Sequence, residues 1–175
     1  MAFVSYTSGT STTANSYVTL AEANDYFDTR IDNNSWTTAA DTLKEDALVT
    51  ATQLIDNHSW IGSAVSSSQA LAWPRKNTDH YNPRLNLNIK FTDTEIPKEI
   101  KVAVYEQALH LLNNEDLLAQ TVQTFESISI GSIKLSDTNG DVTRMSITPS
   151  IVKKPLRHLI RRSVEGLGSS WWRAN

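Results

Sequence analysis

A mainly α-helical fold is what the 175-residue sequence predicts: a small body of three to four helices, a protruding β-hairpin, and extended N- and C-terminal arms. Three observations carry that expectation. Apolar residues recur at helical spacing in three separate stretches before Asn114. The period then changes to alternation between Ser127 and Ile147, and Ser5 to Ser16 are nearly all Ser, Thr, Gly and Ala. The expected divisions are a flexible arm over 1–16, a helical body over 17–120, a β-hairpin over 121–148, and a basic amphipathic helix with an aromatic tail over 149–175.

Thr19-Leu20-Ala21-Glu22 reads as a capping box, in which the Thr19 hydroxyl satisfies an orphan amide of the first turn and Glu22 reaches back to the cap. A first helix follows to about Arg30, its apolar side made by Leu20, Ala23, Tyr26 and Phe27. Asp32-Asn33-Asn34-Ser35 breaks the pattern, and Trp36 is expected to pack where the chain turns. A second helix, about Ala39 to Asn57, puts Leu43, Ala47, Leu48, Ala51, Leu54 and Ile55 on one stripe. Lys44, Glu45, Asp46, Thr50 and Gln53 take the other side.

Gln69-Ala70-Leu71-Ala72-Trp73-Pro74-Arg75 cannot be helix interior, because Pro74 has no backbone donor and drives Trp73 out of the α region. An indole on such a strip must be buried, so the strip is expected to latch over the helical pair that ends in Ile55-Asp56 and Trp60-Ile61-Gly62. The polar connection from Lys76 to Thr94 contains Leu85, Leu87 and Ile89 in alternation, which fits a short strand or a loop lying on the body. Pro97 suits a first helical position, and a third helix runs through Ile100, Ala103, Val104, Ala108, Leu111 and Leu112 to Asn113-Asn114. The core residues expected from these elements are Tyr26, Phe27, Leu48, Leu54, Ile55, Trp60, Trp73, Val104 and Leu111.

Ser127-Ile128-Ser129-Ile130 and Ile133-Lys134-Leu135-Ser136 alternate, Asp137 to Asp141 is rich in turn formers, and Val142 to Ile147 alternates again. A hairpin buries too little alone and needs a neighbour's strands or the helical body, so Ile128, Ile130, Ile133, Leu135 and Val142 are candidates for contact between subunits. Thr148-Pro149 opens a last helix whose apolar side is Leu156, Leu159, Ile160, Val164 and Leu167, opposite Arg157 and Arg161. The chain ends in Trp171-Trp172-Arg173-Ala174-Asn175.

Composition excludes several function classes. There are no cysteines, hence no disulfide framework and no thiolate metal site. No apolar run approaches the length of a membrane span, and Met1-Ala2-Phe3-Val4 lacks the basic start of a signal peptide, so a soluble, unexported protein is expected. No phosphate-cradling Gly-rich loop or Gly-x-Ser-x-Gly elbow occurs, and the four histidines stand apart from one another. Asp137-Thr138-Asn139-Gly140-Asp141 begins like a calcium loop but has Val142 at the sixth place and Thr148 at the twelfth, so it reads as a turn. No catalysis, cofactor or metal is expected.

The net charge of −3 hides an asymmetry. Six basic residues against Glu165 give residues 151–175 a balance of +5, leaving −8 for residues 1–150. An acidic body is a poor bed for nucleic acid, so Tyr17, Tyr26, Phe27, Trp36, Trp60 and Trp73 are expected to pack in the core and not to stack bases. The basic helix has three readings: a solvated face, a contact to phosphate, or an arm inserted into another protein. The terminal Trp pair favours the last, because indoles need burial.

Ser16-Tyr17-Val18-Thr19-Leu20-Ala21-Glu22-Ala23-Asn24-Asp25-Tyr26-Phe27, then Trp36, the helix from Ala47 to Asp56, Trp60-Ile61-Gly62 and the Gln69–Arg75 strip form an ordered set. In that order and spacing the chain resembles the head-to-tail adaptor proteins of tailed phages, some of which carry the label DnaT-like single-stranded-DNA-binding. The resemblance runs from Ser16 to about Asn113 and more weakly to the C-terminal helix. It implies a structural protein forming a ring, usually of twelve subunits, beneath the portal at the virion's head–tail junction. A tail or neck protein would bind below, and double-stranded DNA would pass through the centre without specific binding. Its implied portal contacts are Arg157, Leu159, Ile160, Arg161, Arg162, Trp171, Trp172 and Arg173. The alternatives are a single-stranded-DNA binder and a neck-completion plug of the same architecture.

Overall fold

The computed structural model describes residues 2–9, 11–82, 85–114, 127–130, 133–136 and 148–161. Helix α1 spans Leu20–Asp28, α2 Asn34–Thr38, α3 Asp41–Asp56, α4 Lys98–Asn113 and α5 Ser150–Leu156. Among the described residues three antiparallel two-stranded ladders accompany them: β1 (Ser63–Ala64) with β2 (Arg75–Lys76), β3 (His80–Asn82) with β4 (Leu87–Ile89), and β5 (Ser127–Ile130) with β6 (Ile133–Ser136). Among the described residues the predicted class, a mainly helical body with small hairpins, is the observed one.

The capping box forms at α1: the Glu22 amide donates to Thr19 Oγ1 at 3.1 Å, and the Thr19 amide donates to Glu22 Oε2 at 2.8 Å. Lys101 of α4 then reaches Glu22 at 2.6 Å, so the cap also ties α1 to α4. The short α2 falls where the sequence suggested only a break. It carries Trp36 into the core, with its ring 4.5 Å from that of Phe27 and its Nε1 donating to Asn24 Oδ1 at 2.9 Å.

Helices α3 and α4 face each other and α5 packs on α4, with the core between them. Phe27, Leu48, Ile55, Trp60, Trp73, Val104 and Leu111 are buried, whereas Tyr26 and Leu54 are partly buried against them. Tyr26 stays at the margin because its hydroxyl donates to Glu106, which also pairs with Arg30. The start of α3 departs from its predicted stripe: Leu43 is 47 % exposed and Lys44 only 9 %. The cause is α2, since the Lys44 ammonium lies 5.8 Å from the centre of the Trp36 ring and 3.1 Å from Asp41.

The β5–β6 register pairs Ile128 with Leu135 and Ile130 with Ile133, so this hairpin closes between the first two alternating segments and not at Asp137–Asp141. Val142 and the rest of the third alternating segment lie outside the described residues. The alternating Leu85–Ile89 stretch contributes β4, paired to β3. Residues 2–9 and 11–16 lie along the body. Ser5 and Ser16 form a parallel bridge, the Tyr6 hydroxyl donates to Thr94 O at 2.7 Å, and the Ala70 amide donates to Ser11 O at 2.9 Å.

Candidate functional site

The Gln69–Arg75 strip is fastened at three points, each by a partly buried polar side chain. Gln69 Oε1 accepts from the amides of Val65 and Ser66 at 2.9 and 3.0 Å, while its Nε2 donates to Leu71 O at 2.7 Å and Pro74 O at 3.1 Å. Asp56, from the last turn of α3, accepts the Ala72 amide at 3.1 Å and the Tyr17 hydroxyl. Tyr17 in turn accepts the Trp73 amide at 3.1 Å. Arg75 then spends its guanidinium on carbonyls, those of Ile61, Gly62 and Ala72 at 2.7, 3.0 and 3.1 Å.

Between these points Trp73 is fully buried, its ring edge-on to Trp60 and to Phe91 at 5.9 Å each. The Trp73–Pro74 bond is cis. Burial raises the Asp56 carboxyl above its ordinary range, opposed by the Tyr17 hydroxyl, the Ala72 amide and the Arg75 charge. Burial, reinforced by that carboxylate, lifts the Tyr17 phenol well above its usual value. Tyr26 is raised by burial and Glu106, and Tyr105 by burial and nearby acidic groups.

A pH dependence follows from these phenols. Groups raised in the folded state contribute stability that is complete below the unfolded tyrosine value of about 10 and is lost as pH climbs toward the folded values. Denaturant midpoints are therefore expected to be flat through neutral pH and to fall above about pH 10. Tyr17→Phe should make that alkaline decline shallower; an unchanged slope would remove Tyr17 as a cause.

The root of the C-terminal segment is tied to the strip's neighbour. Trp60 and Ile160 form an antiparallel bridge, the Ile61 amide donates to Leu159 O at 2.9 Å, and the Arg161 amide donates to Ser59 O at 2.6 Å. Val152, Leu156 and Leu159 are buried in the subunit's own core, so the start of the apolar stripe of the basic helix is covered from within; Val164 and Leu167 lie outside the described residues. Leu159 thus faces inward and Ile160 is half-buried, while Arg157 and Arg161 are exposed. Arg162, Trp171, Trp172 and Arg173 lie outside the described residues.

Residues 1–173 match the family described as "Putative DnaT-like ssDNA binding protein". The chain belongs to that family. No curated protein and no solved structure matches it. In this DnaT-like chain the aromatic and charged residues of the ordered motif are brought together as an internal frame. Tyr17, Phe27, Trp36, Trp60 and Trp73 are all buried, so none offers a face to a base.

Gln69 bonds only within its own loop, whereas Asp56 and Arg75 reach partners more than ten residues away that the fold sets, and so carry no local sequence signal. Tyr17 and Asp56 are 39 residues apart. A usable hint is an acid closing an apolar helical stripe just before a Trp-x-Gly. Among the described residues no helix is long and apolar enough to cross a membrane.

Proposed function

We propose that this DnaT-like protein is a non-enzymatic head-to-tail adaptor, a ring-forming subunit beneath a phage portal that joins capsid to tail and surrounds the DNA path. The observation carrying the reading is the burial of the motif's rings together with the commitment of Arg75 to three carbonyls. A single-strand binder presents aromatic faces along a basic groove. Here the same residue types build a scaffold, which suits a protein whose work is to hold a position.

In this reading Arg157, Arg161, Arg162, Trp171, Trp172 and Arg173 contact the portal. The β5–β6 hairpin, with Val142, lies between subunits. Ring closure multiplies weak contacts, because each added site is presented at high effective concentration by those already attached. Virion location, a twelve-fold ring and a neck protein below belong to the same proposal. A neck-completion position is its close variant.

The second reading is single-stranded-DNA binding, favoured by the family's description. One pair of measurements separates them. The adaptor is expected to co-purify with portal, to lose that on removal of residues 164–175, and to show no oligonucleotide binding near physiological salt. Tight oligonucleotide binding by the isolated chain, with a log–log salt slope reporting several phosphates, would establish the second reading and overturn the first.

A further inference from the structure

The ends of α3 differ in chemistry. Residues 1–60 hold eight acids and two bases, Arg30 and Lys44, and both bases are ion-paired within the subunit. Asp41, Glu45 and Asp46 crowd the first turns of α3. Beside them opens a groove of about 370 Å³ whose walls are Leu43, Asp46, Ala47, Thr50, Leu111 and Leu112. Leu43, nearly half exposed, forms its lip.

At the other end of α3 sits α5, held there by the Ser59–Arg161 and Ile61–Leu159 hydrogen bonds. With Val152 and Leu156 buried, α5 turns Ile151, Lys153 and Lys154 outward, and Ile151 is 49 % exposed. No acid occurs in the sequence between Asp141 and Glu165.

We propose that the outer face of α5 on one copy docks on the α3–α4 groove of the next, Ile151 entering the groove and Lys154 facing Asp46 on its wall. An exposed apolar residue beside a cation matches an apolar trough whose wall carries Asp46, and charge complementarity selects a second copy as the occupant. The two surfaces lie at opposite ends of a helix about 24 Å long, so neither covers the other within one copy. Docked head to tail, the two surfaces make a heterologous contact that repeats from copy to copy, as a ring needs. This rests on the ring-forming role proposed above, for which it supplies a contact between copies.

The test is the mass of the full-length chain in solution, by sedimentation across a concentration series at low and high salt. Masses rising with concentration above the 19.5 kDa subunit, and falling toward it in high salt, are expected. Asp46→Lys and Lys154→Glu should each weaken association about tenfold. The double variant should recover most of it, and Leu43→Asp should abolish it. Each variant sits on the surface, and its melting curve checks that it folds.

A monomer at every concentration and salt overturns the proposal. So does association untouched by all three single variants, or a double variant weaker than either parent charge variant. Loss of oligonucleotide retention by Lys154→Glu with no change in mass would assign α5 to nucleic acid and overturn it as well. Portal is absent from these measurements, so a chain that self-associates yet ignores portal refutes the adaptor reading alone.

Discussion

Trp73→Ala is expected to destabilise the protein by about 3–5 kcal/mol, the range for removing a buried aromatic from a packed core. The indole is fully buried and meets Trp60 on one side and Phe91 on the other, so its loss opens a void walled by two rings whose own positions depend on it. Collapse into that void is hindered because the flanking backbone is pinned. The Trp73 amide is held by Tyr17, the Ala72 amide by Asp56, and Arg75 grips three carbonyls. Chemical denaturation should show the loss as a lower midpoint with the slope retained. Trp73→Phe, which keeps an edge-on ring, should cost markedly less. Equal losses for Phe and Ala would mean the indole's packing is not what holds the strip.

That frame was only partly legible in the sequence, and the division follows the range of the interactions. The Thr19–Glu22 box is readable because its two partners are three residues apart and need no tertiary context. Burial of Trp73 is readable because a large ring beside a proline has few other options. The acceptors that pin it are not, since Asp56 and Tyr17 reach the strip only after α1, α3 and the strip have met.

Helix α2 is too short for a period to show, and its ring inverts the roles of Leu43 and Lys44 at the start of α3. The C-terminal stripe illustrates the same limit from the other side. Its spacing marks Leu156 and Leu159 as needing cover, and nothing in the spacing says whether that cover belongs to the same subunit. The structure supplies it from within, through the bridge of Ile160 to Trp60.

Gly62→Ala, the addition of one methyl, should cost roughly as much as losing a core side chain. Gly62 has a φ of +67°, a region where an L residue is strained by about 1–3 kcal/mol when it must stay there. Space is the second difficulty. A Cβ at this position would sit 2.3 Å from the Lys76 carbonyl oxygen and 2.9 Å from that of Asn77, both backbone atoms that cannot swing aside. Relief requires parting the Ser63–Lys76 pair of the β1–β2 ladder, which loosens Arg75 and its hold on Ile61 and Gly62. The same shift disturbs the Ile61 amide that meets Leu159, so damage at Gly62 should reach the root of the C-terminal segment. Hydrogen exchange is the measurement that separates this from a uniform loss. Amides of Ile61, Lys76 and Arg161 should lose protection by a larger factor than those in the middle of α3 and α4. Equal loss across all of them would mean that Gly62 acts on global stability and not through the strip.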